Sequence, residues 1–168
     1  MNVAFYLAAG IALLSTVLAI TRLNAIHALL YVIVSLIAVA VVFFTLGAPF
    51  IAALEVIIYA GAIMVLFVFV VMMLNLNPAS TVLERTLFTG RSWIGAAILA
   101  AILIAELVYL LSAGEGLSTG ASMQEPRQVS IALFGPYVVG IELAAFLLLA
   151  GLVGAYHIGR KEARTGNG

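Results

Sequence analysis

Between residues 56 and 74 the chain has no charged side chain, and the surrounding run 51–76, IAALEVIIYAGAIMVLFVFVVMMLNL, holds a single carboxylate, Glu55. This run limits the possible folds more than any other part of the chain. The hydrocarbon core of a bilayer offers backbone groups no water to bond, so a spanning segment is either a helix or part of a closed barrel. The run is apolar at successive positions rather than alternate ones, which predicts a helix and not a barrel strand with one wet face. A helix over those residues is about 39 Å long at about 1.5 Å per residue. That exceeds the roughly 30 Å of hydrocarbon, so tilt or a local distortion is expected.

Four further segments approach the length of about 20 apolar residues that a membrane helix needs. They are 2–21, 25–46, 92–112 and 133–157, with the third span placed at 50–76. The predicted fold is therefore an all-α integral membrane protein with five transmembrane helices. It forms a single transmembrane domain over 1–168, ending in a polar tail at 160–168. Composition agrees. Of the 168 residues, 65% are hydrophobic and only 8% charged, against about 25% charged in a soluble domain. Such a chain lacks the polar surface to cover a water-facing globule. The breaks carry turn chemistry. Arg22 and Asn24 fall in a short polar turn, and Gly47-Ala48-Pro49 places glycine past one helix and proline at the start of the next. Residues 75–91 contain Asn77-Pro78 and three charges, and 113–130 is rich in Gly, Ser and Thr with Pro126.

With the N-terminus outside, the inner side holds Arg22, Arg85, Arg91, Arg160, Lys161 and Arg164, and the outer side only Arg127. The bias predicts N-out and C-in, with a cytoplasmic C-terminus. No basic residue precedes the apolar run from Val3 to Ile20, which reads as a retained first helix and not as a cleaved signal or presequence. The compact loops and this start point to a bacterial inner membrane. The formal net charge is +0, which leaves no nucleic-acid footprint. The absence of cysteine excludes disulfides, thiolate metal sites and cysteine-held iron–sulfur clusters. His27 and His157 are too isolated to suggest a metal site, and no glycine-rich nucleotide loop is present, so no cofactor or metal is expected on this chain. Five spans do not divide into two equal inverted halves, which argues against a self-contained repeat transporter.

Three carboxylates fall inside the spans: Glu55, Glu106 and Glu142. A carboxylate in hydrocarbon costs roughly several kcal/mol and is a functional candidate by default. Glu55 stands about one turn inside the third span, and Glu142 nearer the middle of the fifth. For both, two readings stand open: a proton-relay group, or a polar anchor bonded to a neighbouring helix. Glu106 is expected to snorkel to the outer interface. Tyr59 follows Glu55 by four residues, so both occupy one helix face. The pair is expected to face protein, with the phenol donating to the carboxylate, both groups contacting a common water, or the hydroxyl satisfied locally. Ala60-Gly61-Ala62 makes a small-residue patch in a bulky helix. It reads either as close helix packing or as a hinge or π-bulge. The apolar run 64–73 reads as lipid-facing and packing surface. In the fifth span Gly135-Pro136-Tyr137 opens the helix, and Ala150, Gly151, Gly154 and Ala155 form a packing seam. His27 is expected to cap its helix or face the interface, while Tyr6, Tyr31, Trp93 and Tyr109 fit interfacial or packing roles.

The run Glu55-Val56-Ile57-Ile58-Tyr59-Ala60-Gly61-Ala62-Ile63-Met64-Val65-Leu66-Phe67-Val68-Phe69 resembles the third-helix signature of the chain J family of proton-pumping NADH:quinone oxidoreductase, respiratory complex I. The mitochondrial counterpart in that family is NADH dehydrogenase subunit six. The likeness extends to His27-Ala28-Leu29-Leu30-Tyr31, Leu133-Phe134-Gly135-Pro136-Tyr137 and Glu142-Leu143-Ala144. The fourth span and both long loops match only in character, and no family motif surrounds Glu106.

The resemblance implies five spans with a cytoplasmic C-terminus. It also implies a non-redox membrane-arm subunit lying between the quinone-binding heel and the antiporter-like chains. The complex would use FMN, iron–sulfur clusters, NADH and quinone, all on other subunits. Expected partners are the membrane-arm chains A, H and K and the antiporter-like chain N. The resemblance further implies a π-bulge around the tyrosine–glycine segment that relaxes toward regular α-helix, opening or closing a hydrated path among carboxylates. Carried over, Tyr59, Ala60, Gly61, Ala62 and Met64 form the switch region, and Glu55 flanks it. A bulge rotates the residues beyond it by about 100°, so Val65 and Phe69 would turn into or out of a cavity. Glu55, Tyr59 and Glu142 are the candidates for proton transfer or coupling. Two alternatives remain: a passive assembly subunit of the same complex, and an independent small ion transporter.

Overall fold

The computed structural model describes residues 3–22, 24–74, 91–113 and 124–159. Arg85, Arg160, Lys161, Arg164, the loop 75–90 and the tail 160–168 lie outside the described residues, as does the Arg91 side chain. Five helices are long and apolar enough to cross a membrane: Val3–Thr21, Ala25–Thr45, Pro49–Met73, Trp93–Ser112 and Val138–Gly159. No strand occurs among the described residues. In chain order the elements are α1 (Val3–Thr21), α2 (Ala25–Thr45), α3 (Pro49–Leu54), a π-helical segment (Glu55–Ile63), α4 (Met64–Leu74), α5 (Arg91–Ala113), α6 (Pro126–Phe134) and α7 (Val138–Gly159). They fall into two compact units, Met1–Gln124 and Glu125–Gly168.

Local chemistry sets the boundaries of the first unit. Asn24 caps α2, its Oδ1 accepting from the Ile26 amide at 2.9 Å and the His27 amide at 3.3 Å. At the other end Gly47 adopts φ 80, the left-handed conformation that glycine takes without penalty. The Gly47 amide then donates to the Phe44 carbonyl at 3.1 Å and the Ala48 amide to the Phe43 carbonyl at 3.0 Å. These two bonds satisfy carbonyls that the end of α2 leaves free. Pro49 comes next, at the first turn of α3, where its missing N–H costs nothing. The chain thus reverses direction in three residues and sends the third span back along α2.

Helix α2 is central, packing against α1, α5 and the third span. Ala8, Ile11, Val34, Ala38, Val41, Leu103 and Leu110 form one buried cluster, and Ala19, Tyr31 and Ala96 a second. The alanines let the backbones approach closely, as is usual between membrane helices. Ser35 Oγ stands 2.8 Å from Thr16 Oγ1 and 3.1 Å from the Ala12 carbonyl, a polar tie between α1 and α2. Near the α1–α2 turn, the Arg22 guanidinium lies 5.0 Å from the centre of the Tyr31 ring and donates to its hydroxyl at 3.3 Å. Gly95 of α5 lies against that hydroxyl, and a Cβ there would overlap it. His27 does not face an interface and is not the cap. Asn24 serves the helix start, and the His27 ring is buried, edge to face with Trp93 at 6.1 Å.

The second unit departs from the sequence expectation of one helix over 133–157 preceded by a loop. Helix α6 begins at Pro126, with the Glu125 amide donating to Gln128 Oε1 at 3.3 Å. It ends at Phe134, and α7 starts at Val138. Pro136 has no N–H to continue the helix and disfavours helical geometry in the residue before it. Gly135 passes so close to the Ile131 carbonyl that a Cβ would stand 2.7 Å from that oxygen. Gly135-Pro136-Tyr137 is thus a turn between two helices and not the opening of one.

Candidate functional site in the third membrane span

Glu55, Tyr59, Ala60, Gly61 and Ala62 all lie on the π-helical segment, and Met64, Val65 and Phe69 on the α-helix that continues it. The hydrogen-bond register changes between the two ends. On entry the Glu55 amide bonds the carbonyls of Ala52 and Ile51, three and four residues back. On exit the Met64 amide bonds Gly61 and, five residues back, Tyr59. The wider ring of a five-residue bond is the signature of π geometry. Gly61 suits this register. A Cβ there would stand 3.0 Å from the Val56 carbonyl oxygen, five residues back. Any side chain would press on that backbone atom, and glycine does not.

The segment has little of its own chain around it. No residue from Glu55 through Met73 is buried. Tyr59 is 50% exposed, Val65 62% and Phe69 54%. Ala60, Gly61, Met64 and the Glu55 side chain are half-buried, on a span that packs along α2, and Ala62 is exposed. Neither the Glu55 carboxylate nor the Tyr59 hydroxyl makes a hydrogen bond within the described residues. They are available to groups outside this chain or to water. The arrangement can therefore present one carboxylate and one phenol outward from a helix whose backbone register is not the α-helical one.

Glu142 belongs to the second unit. Because α7 begins only at Val138, this residue lies in the second turn of its helix rather than near the middle, and it is exposed. Gly151 and Gly154 meet nothing within 4 Å, so the small-residue seam of α7 is open among the described residues.

Glu106 does not snorkel. It is 9% exposed, and among the described residues both carboxyl oxygens are buried without a hydrogen-bond partner. The available signal is spacing: Leu103 and Leu110, three before and four after, are the buried residues of the same face of α5. In a helix apolar all round, that spacing does not stand out. Among the described residues no group of three His, Cys, Asp or Glu side chains is arranged to hold a metal ion.

Residues 15–158 match the model of the NADH-ubiquinone/plastoquinone oxidoreductase chain 6 family. The chain is 53% identical over 165 residues to NADH-quinone oxidoreductase subunit J of Pseudomonas aeruginosa, covering 98% of this chain and 99% of that protein. It is 52% identical over 162 residues to subunit J of Escherichia coli strain K12, covering 96% and 88%. The subunit J of Buchnera aphidicola from Schizaphis graminum is 43% identical over 162 residues, covering 96% and 99%. The five apolar helices, the third-span motif and this near full-length similarity agree, and the chain belongs to the NADH-ubiquinone/plastoquinone oxidoreductase chain 6 family.

Proposed function

We propose that this chain is the J-type membrane subunit of a bacterial proton-pumping NADH:quinone oxidoreductase. In this reading it couples quinone reduction to proton translocation through a change in the third span between π and α register. The supporting observation is the π-helical segment over Glu55–Ile63, on a span with no buried residue from Glu55 through Met73. A switch needs two packings within a few kcal/mol of each other. A segment that packs along α2 without a buried residue, with a glycine where the π register needs space, is compatible with that requirement. Relaxation toward α would turn the side chains beyond Gly61, among them Val65 and Phe69, by about 100° per residue of register gained or lost. It would thereby alter how apolar bulk and water divide the space beside Glu55 and Tyr59.

In this function the chain holds no redox group. FMN, iron–sulfur clusters, NADH and quinone belong to other subunits. Chains A, H, K and the antiporter-like N are the neighbours the exposed faces would meet. The membrane is the bacterial inner membrane, with the C-terminus cytoplasmic. Replacement of Gly61 by valine tests the reading. NADH-driven proton pumping per assembled complex should fall while native gels show the complex at normal abundance. Full pumping in an assembled Gly61→Val complex would refute the switch. A change in yield alone, with activity per complex intact, would favour a passive assembly subunit.

A further inference from the structure

Glu106 faces the packing of α5 against α1 and α2. Leu103 and Leu110 on the same face are each 2% exposed and pack with Ile11, Ala38 and Val41. The Glu106 oxygens are buried by this chain alone, so neither lipid nor a neighbouring subunit is needed to cover them. Among the described residues no cation stands near. Helix α1 carries no charged side chain, and its titratable Tyr6 is 60% exposed. On α2 the titratable groups are His27 and Tyr31, which pack at Trp93 and Gly95. Those positions lie 13 and 11 residues before Glu106, about 16–20 Å along the helix. Arg22 is engaged with Tyr31 at the same level. On α5 itself Arg91 lies 15 residues away, about 22 Å, and Tyr109 is exposed.

An ionised carboxylate so placed has neither counter-charge nor bonded donor among the described residues, the costliest state for a buried acid. The bland roles fail on the same facts. A polar anchor needs a partner, and both oxygens lack one among the described residues. A snorkelling acid needs an interface, and both oxygens are enclosed. A packing residue needs no oxygens, as the leucines on either side demonstrate. The remaining chemistry of a lone acid here is to hold and give up a proton.

We propose that Glu106 is a proton-exchange site inside the helix packing of this chain: a neutral carboxylic acid at rest that releases and rebinds its proton during turnover. The step breaks one O–H bond heterolytically, passes the proton to a water molecule admitted to the packing during turnover, leaves a carboxylate that rebinds a proton from water, and transfers no electron. It rests on the reading of the chain as a subunit of the oxidoreductase, but not on the register change of the third span.

The test is redox-induced infrared difference spectroscopy of the intact complex carrying wild-type chain, Glu106→Gln or Glu106→Asp. The presence of the chain in each preparation is checked by mass spectrometry of the native-gel band. The expected result is a carbonyl band of a protonated carboxyl, sensitive to deuterium exchange, that is lost in Glu106→Gln and displaced in Glu106→Asp. If Glu106→Gln does not assemble, displacement in Glu106→Asp decides. Superimposable spectra in that region overturn the proposal, as does a Glu106-dependent signal confined to ionised carboxylate. Absence of the chain from the complex would instead overturn the functional reading beneath it. A Gly61→Val complex should keep the band, which separates this site from the switch.

Discussion

Replacing Gly95 by alanine should destabilise the protein, and prior removal of the Tyr31 hydroxyl should reverse the sign of that effect. The Cβ added at Gly95 overlaps the Tyr31 hydroxyl, whereas the Tyr31 Cζ atom lies 3.4 Å from it, an ordinary contact. The hydroxyl cannot swing aside freely. Tyr31 is 2% exposed, and its ring and oxygen are both engaged by Arg22. Overpacking of this kind costs about 1–3 kcal/mol. Displacing the hydroxyl from Arg22 costs about 1 kcal/mol more. Alanine returns about 1 kcal/mol of helix propensity. The net loss for Gly95→Ala is therefore about 1–3 kcal/mol. In Tyr31→Phe, which alone costs about 1 kcal/mol for the lost bond, the overlap is gone. Adding Gly95→Ala there should stabilise by about 1 kcal/mol. The double-mutant cycle reads this as a coupling between the two sites, measured from thermal midpoints of the four proteins in one detergent. Equal destabilisation by Gly95→Ala in both backgrounds would refute the contact.

Asn24→Ala should lower stability by about 1 kcal/mol through loss of the α2 cap, with Asn24→Ser restoring most of it in the same thermal assay. Gly135→Ala should cost about 1–3 kcal/mol, because the new Cβ would stand 2.7 Å from the Ile131 oxygen. An unchanged midpoint would argue against that turn. Glu106→Leu should leave stability unchanged or raise it by up to about 3 kcal/mol, since it removes a buried acid without partners. A clear drop in the midpoint would mean the acid has a structural partner. Glu55→Gln and Tyr59→Phe should leave complex abundance on native gels near normal, because neither side chain bonds within the described residues. Large losses of abundance would assign them to assembly.

The helical class, the five long apolar helices and the turn at 46–49 are legible because each has a strong local signature: run length, uninterrupted apolarity, and glycine followed by proline. The break at Gly135-Pro136 reads from sequence as a helix start, which it is not. Proline is equally at home in the first turn of a helix and beyond the end of one. The Glu125-Pro126-x-Gln128 pattern, with a reciprocal side-chain and backbone pairing, is the available clue that a short helix precedes the turn. Facing is the hardest property to read. In a soluble helix, burial follows from the contrast between apolar and polar faces. In these spans both faces are apolar, so nothing in the sequence separates buried Leu103 from exposed Ile104. The sequence misplaces Glu106 and His27 for that reason. In the third span the residues themselves leave packing and bulging open at Ala60-Gly61-Ala62. The π expectation there comes from family resemblance and not from any periodicity in the chain.

In the proposed reading, stability and the capacity for change occupy different helices of the first unit. The buried residues of the first unit lie chiefly on α1, α2 and α5, and the third span contributes only Ala52. Packed cores resist graded deformation, since small shifts forfeit many weak contacts together. A register change in residues 55–63 would leave those clusters intact, because none of their members lies there. The energy that holds the π register must then come largely from backbone bonds and from whatever surrounds the span in the assembled enzyme. The two functional readings therefore separate by location. Substitutions at Gly95, Ala38 or Leu103 should act through folding and abundance in either reading. Substitutions at Gly61 or Tyr59 act through turnover per complex only if the third span moves. A scan in which both groups change abundance alone would leave the third span a passive strut. A scan in which the second group changes pumping at constant abundance would make it the moving part.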